Sequence, residues 1–154
     1  MTTALTIMRL QPFHNGHKKI IDTMLQENNQ VILLIGSINK KDNKNPYSFE
    51  KRLKMVKKIY SDAIHSKKLI VRGIKDINNP PKWVDYVKDT VHCPFDIYYC
   101  GNGQDGDLFQ KKGIKIKQFD RNILPISGTL IRKKIQLHDL SWKQDVPKAI
   151  HSLI

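Results

Sequence analysis

The sequence predicts an α/β protein with a Rossmann-like, doubly wound parallel sheet of about five strands. Short apolar runs of strand length alternate with longer segments whose apolar residues recur every three or four positions. The run QVILLIGS (30–37) is almost wholly apolar, as expected of a strand that is covered on both faces. Strand–helix alternation of this kind implies parallel strands that are joined by right-handed crossovers.

The predicted elements follow one another in a regular order. Each strand is a short apolar run, and each helix has one apolar face. The strands are predicted at 4–10, 30–37, 68–74, 95–101 and 114–120. The helices are predicted at 17–27, 47–60, 83–91, 105–112 and 127–137, with a weaker helical segment at 146–154.

Local signals support the boundaries of these elements. The polar stretch INKKDNKNP (38–46) ends the second strand, and the prolines of KDINNPPK (75–82) break the pattern after the third. Ser127 and Thr129 open the last main helix with residues that favour an N-cap.

Length and composition set the class of protein. A chain of 154 residues suits one domain, so residues 1–154 are predicted to form a single domain with a C-terminal helical tail at 138–154. No apolar run approaches the ~20 residues needed to span a bilayer, and the N-terminus lacks the pattern of a secretion signal. Two cysteines, Cys93 and Cys100, do not make a disulfide framework. We therefore expect a cytoplasmic protein with no membrane association.

The charge balance points to anionic ligands. Lys and Arg number 27 against 14 Asp and Glu, which gives a formal net charge of +13. Such a field attracts polyanions, so a basic nucleic-acid-binding protein is the alternative hypothesis from a different functional class. Lysine dominates over arginine and is scattered along the chain, which favours small anionic molecules over nucleic acid.

The stretch LQPFHNGHKKI (10–20) places two histidines, His14 and His17, between the first strand and the first helix. In a doubly wound sheet, ligands bind at the carboxyl ends of the strands. A helix start offers unpaired backbone N–H groups and a positive dipole end, which suit phosphate. Gly16 removes a side chain where a ligand approaches the backbone, and both histidines can donate hydrogen bonds to a phosphoryl group. The motif therefore predicts a site for phosphoryl or nucleotidyl transfer.

Two motifs together carry a family resemblance. RLQPFHNGHKKI (9–20) resembles the HxGH signature of the nucleotidyltransferase superfamily, in the R-x-Q-P-F-H-x-G-H form of archaeal-type nicotinamide mononucleotide (NMN) adenylyltransferases. ISGTLIR (126–132) resembles the second signature of that superfamily, I-S-x-T-x-x-R. The segments between them, including IKDINNPPKWV and FDIYYCGN, are also similar to this family, so the resemblance covers nearly the whole chain.

The resemblance implies a fold of the HxGH nucleotidyltransferase type and a reaction of ATP with NMN that gives NAD and pyrophosphate. Its catalytic residues would be His14, His17 and Arg132. Its ATP-binding residues would be Arg9, Gln11, Gly16, Gly36, Ser37, Gly101, Asn102, Ser127 and Thr129. The acceptor would contact Arg52, Asp76, Asn79 and Trp83. Mg²⁺ would accompany ATP without a dedicated set of protein ligands, and the chain is expected to form a homo-oligomer.

Several alternatives stay open at this point. Other members of the superfamily use phosphopantetheine, flavin mononucleotide (FMN) or glycerol phosphate as acceptor, and nicotinic acid mononucleotide is a further candidate. GNGQDG (101–106), with Asp120 downstream, fits the glycine pattern of dinucleotide-binding oxidoreductases, but it lies in the fourth strand–helix unit rather than the first. HxGH also marks class I aminoacyl-tRNA synthetases, yet KMVKK (54–58) lies too early for their lysine loop. The spacing of His92, Cys93 and Cys100 matches no common zinc site.

Overall fold

Five parallel strands form one sheet in the computed structural model, which describes residues 1–101, 103–120 and 125–154. The strands are β1 (Thr3–Met8), β2 (Gln30–Ile35), β3 (Leu69–Gly73), β4 (Ile97–Cys100) and β5 (Lys115–Gln118). The helices are α1 (Asn15–Glu27), α2 (Phe49–His65), α3 (Pro80–Val91), α4 (Gly103–Lys111) and α5 (Gly128–Gln136), followed by 3-10 helices at Leu140–Gln144 and Lys148–Leu153. The predicted Rossmann-like α/β fold is confirmed.

The strand order places the first strand at the centre of the sheet. The order is β3-β2-β1-β4-β5, and every neighbouring pair is parallel. The chain leaves β1 towards β2 and β3, and it then returns to the other side of β1 for β4 and β5. This reversal opens a crevice at the carboxyl ends of β1 and β4, which is where doubly wound folds bind ligands.

The central strands β1 and β2 bury both of their faces because helices cover the sheet on both sides. Leu5 of β1 and Ile32 of β2 pack with Val84 of α3 in one buried cluster. Their neighbours Ala4 and Leu33 belong to a second cluster, which includes residues of α1, α2 and α5. This alternation explains why the second strand reads as continuously apolar.

Several helix boundaries differ from those that the sequence predicted, among them three at α1, α2 and α3. α1 begins at Asn15 rather than 17, because the side chain of His14 caps it. α3 begins at Pro80 rather than 83, since proline is tolerated in the first turn of a helix, where its missing N–H is not needed. α2 runs on to His65 rather than ending at 60, across a local break at Tyr60 (φ −120°, ψ 29°).

The predicted C-terminal tail is packed against the rest of the protein. Its regular structure is 3-10 helical instead of α-helical. Val146 and Ile150 are 2% and 0% exposed and join the core cluster that contains α1 and α2. Across the described ranges, no helix is long and apolar enough to cross a bilayer.

Candidate active site

A cavity of about 840 Å³ opens where α1, the carboxyl ends of β1 and β4, and the start of α5 meet. Among the predicted site residues, those that line it are Arg9, Gln11, His14, Gly16, His17, Gly101, Ser127, Thr129 and Arg132. The two signature motifs therefore line the same cavity, although more than a hundred residues separate them along the chain.

Several lining residues did not stand out in the sequence. They belong to the exposed side of α1 and to the β4–β5 edge of the sheet, and they include Lys19, Thr23, Tyr99, Lys117 and Phe119. The alternation in IKIKQFD (114–120) indicates which side chains share a face of β5. The sequence does not show that α1 leaves this face of β5 uncovered, so the extent of the cavity can be seen only in the packed structure.

His14 and His17 hold the N-terminus of α1 through a reciprocal pair of contacts. The Nδ1 atom of His14 accepts from the backbone N–H groups of Gly16 (3.1 Å) and His17 (3.3 Å). The Nδ1 atom of His17 accepts from the backbone N–H of His14 at 3.2 Å. This is a capping box in which imidazoles stand where hydroxyl and carboxylate groups usually serve.

These contacts fix the tautomer of both rings. Because each Nδ1 accepts a backbone hydrogen bond, each neutral ring carries its proton on Nε2. Burial lowers the pKa of His14 from 6.5 to about 4, against a smaller opposing effect of the Asp145 carboxylate. His14 is therefore a neutral hydrogen-bond donor at physiological pH.

The backbone N–H groups at the start of α1, which the sequence suggested for phosphate, are hydrogen-bonded within the protein. The four N-terminal N–H groups of this helix already have acceptors. The N–H groups of His14, Gly16 and His17 bond to the two imidazoles, and that of Asn15 donates to the carbonyl of Asp145 at 2.8 Å. An anion at this helix would instead meet the imidazole rings.

The N-terminus of α5 differs from that of α1. The Ser127 hydroxyl caps it by accepting from the N–H of Leu130 at 3.1 Å. In the part of the chain that the structure describes, the N–H groups of Gly128 and Thr129 have no acceptor. These two donors lie on the cavity wall, at the positive end of the helix dipole.

Two glycines allow close packing at the edge of the cavity. A Cβ at Gly16 would lie 2.8 Å from Cε1 and 2.9 Å from Nδ1 of the His14 ring. A Cβ at Gly128 would lie 2.8 Å from the carbonyl oxygen of Gln11. Both glycines are therefore needed for steric reasons of packing, besides any close approach of a ligand.

Arg132 and Gln11 connect the two motif loops. The Nη1 atom of Arg132 donates to the Gln11 carbonyl at 2.6 Å, and Nη2 donates to the Thr129 hydroxyl at 3.2 Å. The Gln11 side chain exchanges two hydrogen bonds with the backbone of Tyr47, at 2.9 and 3.0 Å. Since Gln11 is only 3% exposed, its amide positions the loops and offers little to a ligand.

Arg52 lies behind the cavity and outside its lining. It is 1% exposed, and its Nη1 donates to the carbonyls of Arg9 and Gly36, both at 2.7 Å. Its Nε donates to the Ser48 carbonyl at 3.3 Å. Arg52 thereby ties together the carboxyl ends of β1 and β2.

Positive charge is concentrated at this end of the sheet. Burial lowers the pKa of Arg52 and of Arg132, and the nearby positive charge of Arg9 lowers each of them further. An arginine stays charged despite such shifts. Repulsion among the three guanidinium groups would be relieved by a polyanion in the cavity.

The other predicted residues lie beyond the β2–β3 side of the cavity. Ser37 donates to the carboxylate of Asp76 at 2.9 Å, and Lys40 pairs with the same carboxylate at 3.0 Å. Asn79 caps α3 through its backbone, without a hydrogen bond from its side chain. Trp83 is half-buried in the first turn of α3, and its buried Nε1 has no acceptor among the described residues.

Two further expectations from the sequence concern Asn102 and a metal site. Asn102 lies outside the described residues, so its predicted contact with the nucleotide stays a prediction. In the described ranges, no three His, Cys, Asp or Glu side chains are grouped so that they could hold a metal ion, and this includes the His92–Cys93–Cys100 set.

Solved structures share this architecture. A bifunctional NMN adenylyltransferase/ADP ribose pyrophosphatase from Francisella tularensis superposes with a TM-score of 0.80 at 25% identity. The match covers 94% of this chain and 44% of that one, so this chain spans less than half of the bifunctional protein. The same enzyme in complex with AMP and a manganese ion gives a TM-score of 0.77 at 26% identity, with the same coverage.

Sequence comparison is more specific. The cytidylyltransferase-like family model matches residues 9–134. A nicotinamide-nucleotide adenylyltransferase of Methanococcus aeolicus is 37% identical over 98% of this chain and 87% of its own length. That of Picrophilus torridus is 34% identical over 98% of this chain and 89% of its own length. The chain therefore belongs to the cytidylyltransferase-like family of nucleotidyltransferases and, within it, to the nicotinamide-nucleotide adenylyltransferases.

Proposed function

We propose that this protein transfers the adenylyl group of ATP to NMN, which yields NAD and pyrophosphate. The observation that carries the proposal is the pair of imidazoles of His14 and His17, which stack with ring centroids 3.6 Å apart and are each held by the backbone through Nδ1 on the wall of a cationic cavity. The relatives from Methanococcus aeolicus and Picrophilus torridus are named nicotinamide-nucleotide adenylyltransferases, and they are similar to this protein over almost the whole chain.

The chemistry needs positioning and charge neutralisation more than proton transfer. An oxygen of the NMN phosphate attacks the α-phosphorus of ATP in line, and the bond to the β-phosphate breaks to release pyrophosphate. The attacking phosphate is already ionised at neutral pH, so no general base is required. Neutral His14 would donate from Nε2 to an oxygen on the phosphorus as negative charge develops.

We assign the triphosphate to the wall formed by α5. The backbone N–H groups of Gly128 and Thr129, the hydroxyls of Ser127 and Thr129, and the guanidinium of Arg132 would bind the β- and γ-phosphates. Arg9 would add charge from the end of β1. Gly36, Ser37, Gly101 and Asn102 are proposed to border the adenosine side.

The acceptor is proposed to extend from the cavity towards β2 and β3. Asp76, Asn79 and Trp83 are grouped beyond the end of β3, and Trp83 could stack on the pyridinium ring, which is a cation–π contact. The contacts of Arg52 favour a positioning role, because its hydrogen bonds go to backbone carbonyls.

Magnesium is proposed to enter with ATP as part of the substrate. Asp105 and Asp120 line the cavity, but the described residues offer no group of three ligands, so no step is assigned to a protein-held metal. The structural relative from Francisella tularensis was solved with a manganese ion. We further propose one domain over residues 1–154, a homo-oligomer and a cytoplasmic location, where both free thiols would stay reduced.

The test measures NAD formation directly. Purified protein with ATP, Mg²⁺ and NMN should form NAD and pyrophosphate in equal amounts, and a faster reaction with another phosphate acceptor would move the proposal to that acceptor. If no acceptor reacts while RNA binds at physiological salt, nucleic-acid binding becomes the better account of the +13 charge.

A further inference from the structure

We infer that Asp145 is a positioning residue that joins the two helices carrying the signature motifs. It lies in the C-terminal segment, residues 138–154, to which the resemblance assigned no role. The inference rests on the proposed function, because it concerns the binding of ATP between α1 and α5.

On the side of α1, the segment holds the residue between the two signature positions. The carbonyl of Asp145 accepts from the backbone N–H of Asn15 at 2.8 Å, and the carbonyl of Gln144 accepts from its Nδ2 atom at 3.0 Å. Asn15 directly follows His14, whose ring caps the same turn. The C-terminal segment thus supplies the one N-terminal acceptor of α1 that the two imidazoles do not.

On the side of α5, the carboxylate of Asp145 lies 2.8 Å from Nζ of Lys134. The two side chains are only 25% and 33% exposed, so this ion pair is better shielded from water than a pair on the open surface. Lys134 lies two residues after Arg132, whose guanidinium binds the Gln11 carbonyl and the Thr129 hydroxyl. One residue therefore contacts the helices on both walls of the cavity.

The C-terminal segment can act as a brace because it is itself fixed. Val146 and Ile150 are buried in the core. The Nε2 atom of His151 lies 2.8 Å from the Val146 carbonyl, and the N–H of Asp145 donates to the Trp142 carbonyl at 3.0 Å. A movement of Asp145 would therefore disturb the core.

Loss of the carboxylate should affect ATP more than NMN. Asp145→Asn keeps the backbone carbonyl that binds Asn15 but removes the negative charge that pairs with Lys134, so α5 and Arg132 are held less firmly against α1. The proposed acceptor residues lie beyond β3 and make none of these contacts. The expected change is therefore a rise in KM for ATP and a fall in kcat, with little change in KM for NMN.

The experiment compares three variants of the full chain. Asp145→Asn should lower kcat/KM for ATP about tenfold and leave KM for NMN within about twofold of wild type. The matched control is Asp85→Asn, which removes the exposed ion pair (3.4 Å) between α3 and Lys112, the residue after α4, and should change neither constant. The double variant Lys134→Asp with Asp145→Lys restores the pair with reversed signs and should recover most of the lost kcat/KM.

Two results would overturn the inference. Either Asp145→Asn behaves like Asp85→Asn, or it raises KM for both substrates equally while the double variant recovers nothing. Calorimetric measurement of MgATP binding to the same variants separates a failure of the inference from a failure of the proposed function, because ATP binding can be measured without an acceptor. If the protein makes no NAD but Asp145→Asn binds ATP more weakly, the positioning role of Asp145 is supported and NMN is rejected as the acceptor. Unchanged ATP binding would reject the positioning role.

Discussion

The imidazole rings of His14 and His17 stack with centroids 3.6 Å apart and planes inclined by 21°. Each ring also caps the turn that carries the other, because each Nδ1 accepts a backbone N–H. The HxGH motif is therefore a helix cap and a proposed phosphate site at once. Substitutions at this motif will mix effects on folding and on catalysis unless they are chosen to separate the two.

The substitution His14→Asn separates the effect on folding from the effect on catalysis. The side-chain oxygen of asparagine caps helix N-termini well, whereas no group of asparagine reproduces Nε2–H. We expect this variant to melt near the wild-type temperature and to lose about 10²–10³-fold in kcat, as when one preorganised donor is removed. Thermal melting and steady-state kinetics check both parts.

His14→Ala is the comparison. It should lose the same activity and also about 1 kcal/mol of stability, since the cap itself is removed. An active His14→Asn enzyme would contradict the proposed role of the ring.

Gly16→Ala should inactivate the protein through His14. The added methyl group would stand 2.8 Å from Cε1 of that ring, so the ring must move from the capping geometry. We expect kcat to fall at least tenfold, because catalysis depends on close positioning of donors. The control is Gln26→Ala on the exposed face of the same helix, which should behave as wild type. Equal activity of both variants would show that the contact is not needed.

The lowered pKa of His14 makes stability depend on pH with a definite sign. The unfolded chain binds a proton at this residue near pH 6.5, whereas the folded protein binds it only near pH 4. Stability should therefore fall as the pH drops from about 6.5 to about 4, by about 2 kcal/mol at pH 5 from this residue alone. Denaturant unfolding of wild type and His14→Asn at pH 7 and pH 5 measures the difference. An equal loss in both proteins would contradict the assignment.

Arg52→Lys distinguishes positioning from acceptor binding. Lysine cannot satisfy the carbonyls of Arg9, Gly36 and Ser48 together, so we expect a loss of about 3 kcal/mol of stability. KM for NMN should change less than twofold at a temperature where the variant is folded. A stable variant with a much higher KM for NMN would instead indicate that Arg52 binds the acceptor.

The fold was predictable from residues that act locally. Alternating apolar runs revealed all five strands, and QVILLIGS indicated burial on both faces. The errors fall where a distant or unusual partner decides the boundary. His14 extends α1 as an N-cap, although histidine is not a common capping residue, and Pro80 begins a helix where prolines suggested a break.

The lining of the cavity was predictable as far as the two motifs reach. HxGH and ISxTxxR named residues that line one cavity, because each motif follows a strand whose carboxyl end faces the crevice. The occupied N–H groups of α1 could not be foreseen, since the acceptor of Asn15 is the carbonyl of Asp145, 130 positions later. The buried contacts of Arg52 were hidden for the same reason, because they depend on the three-dimensional packing of β1 against β2.

The most direct test of the central claim is a comparison of initial rates of pyrophosphate release by the wild-type protein with a panel of acceptors. The panel contains NMN, nicotinic acid mononucleotide, phosphopantetheine, FMN and glycerol phosphate, each with ATP and Mg²⁺, and His14→Asn is measured in parallel. We predict the highest kcat/KM with NMN, with NAD as the product and almost no turnover by His14→Asn. Turnover of a different acceptor in preference to NMN, or full activity of His14→Asn, would contradict the account.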